Sequence, residues 1–127
     1  AGDIARQASR WGMPLVVQID TSQTDARRQY SATLSGLGAR LAYEVGADAV
    51  ITNYSGSPEL FAESIRGIDI PVLIGGSPRM ETDEAMIASI SEALACGAQG
   101  ATLPGEMFWN DGPSATLKKL HATVLST

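Results

Sequence analysis

Helix-like and strand-like patterns alternate four times along the 127 residues, and no two strand-like runs lie close enough for a hairpin. The segment Glu44-Val45-Gly46-Ala47-Asp48 is echoed by Leu94-Ala95-Cys96-Gly97-Ala98-Gln99. The alternation predicts an α/β chain of four βα units with parallel strands, because parallel neighbours need crossover connections. A doubly wound open sheet and a (β/α)₈ (TIM) barrel both satisfy that pattern, but a barrel takes eight strands and roughly 250 residues, about twice what is present. The echo, a helix returning through Gly-Ala into the next strand, favours the barrel. Residues 1–127 therefore read as a single half-barrel domain.

Ile4, Ala5, Ala8 and Trp11 recur at helical spacing, and Gly12-Met13-Pro14 stops that helix. The apolar run Leu15–Ile19 then predicts a strand ending at Asp20. Thr21–Asp25 is a polar connector, after which Tyr30, Leu34, Leu37, Leu41 and Val45 mark the apolar stripe of a long helix. Gly36 and Gly38 inside it imply either close packing on the sheet or a regular helix that begins only near Gly38. Gly46-Ala47-Asp48 ends the helix, and Ala49–Thr52 is the second strand, opening into Asn53–Ser57. Ser57-Pro58-Glu59 is a helix start, with serine as N-cap and proline at the first helical position; Leu60, Phe61, Ser64 and Ile65 follow as far as Gly67.

Ile70–Ile74 has the length and β-branching of a strand buried on both faces, and Gly75-Gly76-Ser77-Pro78 should turn the chain sharply at its end. Thr82 is the expected N-cap of the next helix, with Asp83 and Glu84 at its positive dipole end and Met86, Ile87, Ile90 and Leu94 as its stripe. Gln99–Leu103 is the fourth strand and runs into Pro104–Trp109. A last helix after Gly112-Pro113-Ser114 carries Leu117, Leu120, Val124 and Leu125 on one face, with Lys118, Lys119 and His121 turned elsewhere.

Composition narrows the function classes. With 44% hydrophobic and 18% charged residues the chain is globular rather than disordered. A net charge of −5 with nine scattered Lys and Arg offers no basic patch, so nucleic acid is not an expected partner. The single cysteine, Cys96, cannot form an internal disulfide and is expected as a small buried apolar residue. No membrane-length apolar run and no signal-peptide pattern are present, so no membrane partner and a cytoplasmic location are expected. No His/Cys cluster has metal-ligand spacing, and neither a transition metal nor another cofactor is expected.

Gly12-Met13-Pro14-Leu15, Gly46-Ala47-Asp48-Ala49-Val50, Thr52-Asn53-Tyr54-Ser55-Gly56, Pro58-Glu59 and Pro71–Thr82, in that order and spacing, resemble the C-terminal half of the class I (Schiff-base) aldolases of the archaeal fructose-bisphosphate aldolase and aminodideoxyheptulosonate synthase group. The resemblance covers nearly the whole chain. It implies that the four strands match barrel strands five to eight, with the N-terminal half lying outside these residues. It also implies altered chemistry. The position of the imine-forming lysine is Ile51, that of the strand-five acid–base tyrosine is Asp20, and that of the phosphate-clamping arginine is Gly105, next to Glu106. The only two lysines, Lys118 and Lys119, fall on the last helix, away from the C-terminal strand ends where barrel chemistry takes place.

An anion site is the surviving expectation. Loops after barrel strands seven and eight hold phosphate on backbone N–H groups, and Gly76, Ser77 and Gly105 stand at the matching places; the same glycines also serve simply to turn the chain. Arg79 either joins that site or pairs with Glu81 or Asp83. Ile51, Asn53 and Tyr54 would line the mouth, and Asp20 with Glu106 would form either an acid–base pair or a solvated polar rim. Phe108 and Trp109 would cover a ligand or plug apolar surface. Three readings follow: a catalytically degenerate aldolase-like half-barrel that binds a sugar phosphate or other small anion, a lyase or isomerase using rim carboxylates, and a segment of a longer aldolase-family polypeptide. Four strands cut from a closed barrel leave two bare edges, so pairing with a second copy or with an N-terminal half is expected.

Overall fold

The computed structural model describes residues 2–21, 28–78, 81–103, 105 and 112–126. Its elements run α1 (Gly2–Arg10), β1 (Val16–Gln18), α2 (Ala32–Glu44), β2 (Ala49–Asn53), α3 (Pro58–Ser64), β3 (Val72–Gly76), α4 (Asp83–Ala95), β4 (Gly100–Ala101) and α5 (Pro113–Leu125). The strands form one parallel sheet in the order β1-β2-β3-β4. Each expected βα unit is present.

Registry assigns the two sheet faces. Val17, Val50 and Val72 lie side by side, as do Thr52, Ile74 and Ala101, and these positions pack into the helix layer with Tyr54, Phe61, Met86 and Ile90. Gln18, Ile51, Leu73 and Gly100 form the intervening row on the opposite face. Among the described residues no helix covers that second face: α2, α3, α4 and the buried core all belong to the first. Strand alternation thus produces one sealed face and one inner face on which only Gly100 of that row is buried, Ile51 and Leu73 are partly exposed, and Val16 is 50% exposed.

Several local expectations are corrected. Gly75 and Gly76 do not turn the chain; they continue β3, and Gly75 is the extra residue of a bulge, because Thr52 pairs with Ile74 whereas Asn53 pairs with Gly76. On α2 the stripe of leucines is not the buried one. Ser35, Gly36, Ala39 and Ala42 face the core while Leu37 and Leu41 are more than half exposed. Close approach explains this: a Cβ on Gly36 would stand 2.7 Å from Ser64 O, and one on Gly38 would stand 2.6 Å from Ile19 Cγ2, so small residues let α2 sit against α3 and β1. Helix α2 is nevertheless regular through both glycines, starting from an N-cap at Ser31.

Thr82 caps α4 as expected, accepting from Ala85 N, and Met86, Ile90 and Leu94 are buried on it. Ser57 occupies the N-cap position of α3 but its hydroxyl reaches Glu59 instead. On α5 only Thr116 and Leu120 are buried; Leu117, Val124 and Leu125 are exposed. Helix α1 has no buried residue, and both Ile4 and the adjoining Trp11 are exposed. Cys96 is half-buried against the core.

Candidate functional site

The C-terminal ends of the parallel strands converge on one rim, the place where open α/β sheets and barrels bind ligands. Asp20 is exposed just beyond β1, Asn53 ends β2, Gly76 ends β3, and Gly105 is exposed beyond β4. Glu106 and Arg79, like Phe108 and Trp109, lie outside the described residues. Ile51 sits one pleat below the rim on the inner face; its Cγ2 and Thr102 Oγ1 occupy the space that a Cβ on Gly75 would need, 2.8 and 3.2 Å away. A branched apolar side chain therefore fills the middle of this face.

Tyr54 departs from its expected place. Its side chain is fully buried, with its ring edge-on to Phe61 at 5.2 Å between centroids and its hydroxyl donating to Glu92 Oε2 at 3.0 Å, so it belongs to the helix layer and does not line the mouth. The physical reason is alternation: two residues after the buried Thr52, the chain again points toward the helices. Ser77 likewise buries its hydroxyl, which donates to Ser89 Oγ at 3.2 Å in α4, leaving only its main chain at the rim.

Asn53 does face the mouth. Its Nδ2 donates to Thr21 Oγ1 at 2.8 Å and to Gln29 O at 3.2 Å, while the Thr21 hydroxyl donates to the same Gln29 carbonyl at 2.6 Å. This ring fastens both ends of the β1–α2 connection to the end of β2. Asn53 Oδ1 and Tyr30 Cε1 lie 2.8 and 3.6 Å from the Cβ position of Gly76, so the glycine permits the pair to pack over β3. Gln29 carried no signal in the sequence, Thr21 read only as part of a polar connector, and Tyr30, expected on the apolar stripe of the long helix, lies before α2 begins at Ala32; a polar connector gives no periodic signal that would mark these contacts.

Cys96, between α4 and α3, is away from this rim; burial pushes its thiol above the ordinary cysteine range, with the Glu59 and Glu92 carboxylates adding to the shift. An open groove of about 1090 Å³ lies at the other end of the sheet, between α1 and the turn after α2, lined by Arg6, Arg10, Glu44 and Asp48 among others. Among the described residues no group of His, Cys, Asp and Glu is arranged to hold a metal ion, and no helix is long and apolar enough to cross a membrane.

Comparison with known proteins fits this geometry. The chain is 33% identical to a 2-amino-3,7-dideoxy-D-threo-hept-6-ulosonate synthase of Halobacterium salinarum over 96% of its own length and 45% of the relative's. It is 30% identical to a class 1 fructose-bisphosphate aldolase of Thermoproteus tenax over 84% of this chain and 40% of that protein. An archaeal fructose 1,6-bisphosphate aldolase of known structure superposes with a TM-score of 0.87 at 25% identity, covering 99% of this chain and 50% of the other. The chain thus spans about half the length of the relatives it matches, and its four βα units form half of a (β/α)₈ barrel. The profile of the DeoC/LacD family aldolases matches residues 1–108, and the chain belongs to that family.

Proposed function

We propose that this chain is an aldolase-family half-barrel, folded as one domain over residues 1–127, that binds a phosphate-bearing ligand at its strand ends without forming an imine. Four further βα units, from a second copy or from an N-terminal half, complete its barrel. The observation that carries the reading is the open inner face: among the described residues β1 and β4 each pair on one side only, and Val16, Ile51 and Leu73 stand on a face that no described helix covers. Bare edges and an apolar sheet face both favour association, since each unpaired strand presents a row of donors and acceptors.

Ile51 supports the loss of Schiff-base chemistry, because an alkyl side chain has no amine to condense with a carbonyl. The rim glycines Gly76 and Gly105, and relatives named for fructose bisphosphate, support a phosphate ester as the ligand. Light scattering coupled to size exclusion, with native mass spectrometry to identify each chain, should find two half-barrels per particle. A monomer of the 127-residue chain with a cooperative melt at micromolar concentration would overturn the assembly.

A further inference from the structure

Five helices accompany four strands, with α1 ahead of β1 and α5 behind β4. In a (β/α)₈ barrel each seam between neighbouring strands is covered outside by the one helix that connects them. Helix α1, with Ala5 close over Gly46 in the turn after α2, belongs to the seam at the free edge of β1. Helix α5, whose Thr116 hydroxyl donates to Asp83 at the head of α4, belongs to the seam at the free edge of β4. When two copies close on each other, β4 of one meets β1 of the other, and α5 and α1 then claim the same seam. Five helices from each copy are one more per copy than the barrel has places for.

Charge opposes the same closure. Helix α1 has Arg6 and Arg10 against Asp3, a net +1, and α5 has Lys118 and Lys119 with no acid, a net +2. The helices between them are the reverse: α3 and α4 together carry five carboxylates and no Lys or Arg. In a chain of net charge −5, both overhanging helices are therefore positive, and two copies would set them against each other at both seams. The same helices keep apolar flanks uncovered. Ile4 and Trp11, two turns apart on and beside α1, are 60% and 82% exposed, and Leu117 and Val124 are exposed at the same spacing on α5. An apolar flank bordered by cations fits a neighbour that is apolar at its centre and negative at its rim.

We propose that the partner closing this barrel is not a second copy but a half-barrel of four strands joined by three outer helices, whose first and third helices present carboxylates to α5 and α1. The proposal rests on the assembly reading above and names its partner. A fourth partner helix has no place, because α1 already covers that seam. The cations of α1 and α5 thereby select the partner by excluding a like-charged copy of the chain itself.

The test combines the full chain with the N-terminal segment of the archaeal fructose 1,6-bisphosphate aldolase on which it superposes, ended before the helix that matches α1. Two versions carry glutamates or lysines on the exposed flanks of the first and third outer helices. Circular dichroism establishes that each segment folds, and co-expression replaces mixing where one does not fold alone. Native mass spectrometry should find one chain per segment. The glutamate version should bind about tenfold more tightly than the lysine version at about 50 mM salt, and the difference should shrink at about 0.5 M, where exposed charges are screened. Lys118→Glu with Lys119→Glu, both at exposed positions, should remove most of that preference. A longer segment that keeps its own fourth helix should bind at least about tenfold more weakly, the cost of displacing one of two helices from a single seam. A stable two-copy particle of the chain alone overturns the proposal and leaves the assembly reading intact, whereas a cooperatively melting monomer overturns both. Equal binding of the two charge versions, or binding of neither, also overturns the proposal.

Discussion

The hydroxyl of Tyr54, just after the second strand, donates to Glu92 Oε2 in the last turn of α4 at 3.0 Å, so a residue expected to meet ligand instead ties the sheet to its helix layer. The Tyr54 backbone N–H also donates to Gly76 O at 2.7 Å, which adds a second link to β3. Tyr54→Phe keeps the ring and its edge-on contact with Phe61, and should cost about 1 kcal/mol, the net worth of one hydrogen bond. Tyr54→Ala removes a fully buried aromatic and should cost about 3–5 kcal/mol. Urea titrations measure both; equal losses would mean that the ring contributes nothing beyond its hydroxyl.

Glycine substitutions should separate packing from ligand contact. Gly36→Ala puts a methyl 2.7 Å from the Ser64 carbonyl oxygen and 2.8 Å from Ser64 Cβ, where backbone must move, and should destabilise by about 1–3 kcal/mol. A Cβ on Gly105 meets nothing within 4 Å among the described residues, so Gly105→Ala should change stability by less than about 0.5 kcal/mol. Thermal melts of the two variants check the contrast, and a destabilised Gly105→Ala would show that the glycine is needed for the fold.

Cys96 should alkylate slowly. Its thiol is pushed up by burial and then by Glu59 and Glu92, and because only the thiolate reacts, a raised pKa leaves less of it at any given pH below that value. The rate of reaction with iodoacetamide at pH 8 should lie below that of a free peptide thiol. Removing the like charges by Glu59→Gln or Glu92→Gln should move the midpoint of the rate-versus-pH curve downward. An unchanged midpoint in both variants would leave burial as the sole cause.

Borohydride trapping tests the role of Ile51. Incubation with dihydroxyacetone phosphate or fructose 1,6-bisphosphate followed by reduction should leave the mass of the native chain unchanged. On the proposed reading Ile51→Lys should give at best trace adduct, because an amine without a positioned acid–base partner turns over poorly. A stoichiometric adduct on the native chain would restore Schiff-base chemistry to another residue.

Gly75 and Gly76 illustrate what local rules miss. Read along the chain, two glycines after an apolar run signal a turn; in the sheet they are a bulge, because the partner strand offers Asn53 and Tyr54 as continued pairing and because Ile51, Thr102 and Asn53 fill the space that side chains would take. The leucines of α2 teach the same lesson. Hydrophobic periodicity selected Leu37 and Leu41, but the neighbouring helix and strand approach so closely that only Ser35, Gly36, Ala39 and Ala42 fit between them. Which of two faces is buried depends on shape as well as polarity.

The order of helices and strands, their parallel connection, the half-barrel extent and the isoleucine at the middle of the second strand are all properties of the sequence, because alternation, turn residues and N-caps act over a few neighbouring positions. Tertiary structure alone decided that Tyr54 faces the helices, that Ser77 is committed to Ser89, and that Asn53 is locked by Thr21 and Gln29 with its oxygen toward the mouth. Those outcomes depend on groups separated by 12 to 38 residues meeting in space, and no local propensity specifies such meetings.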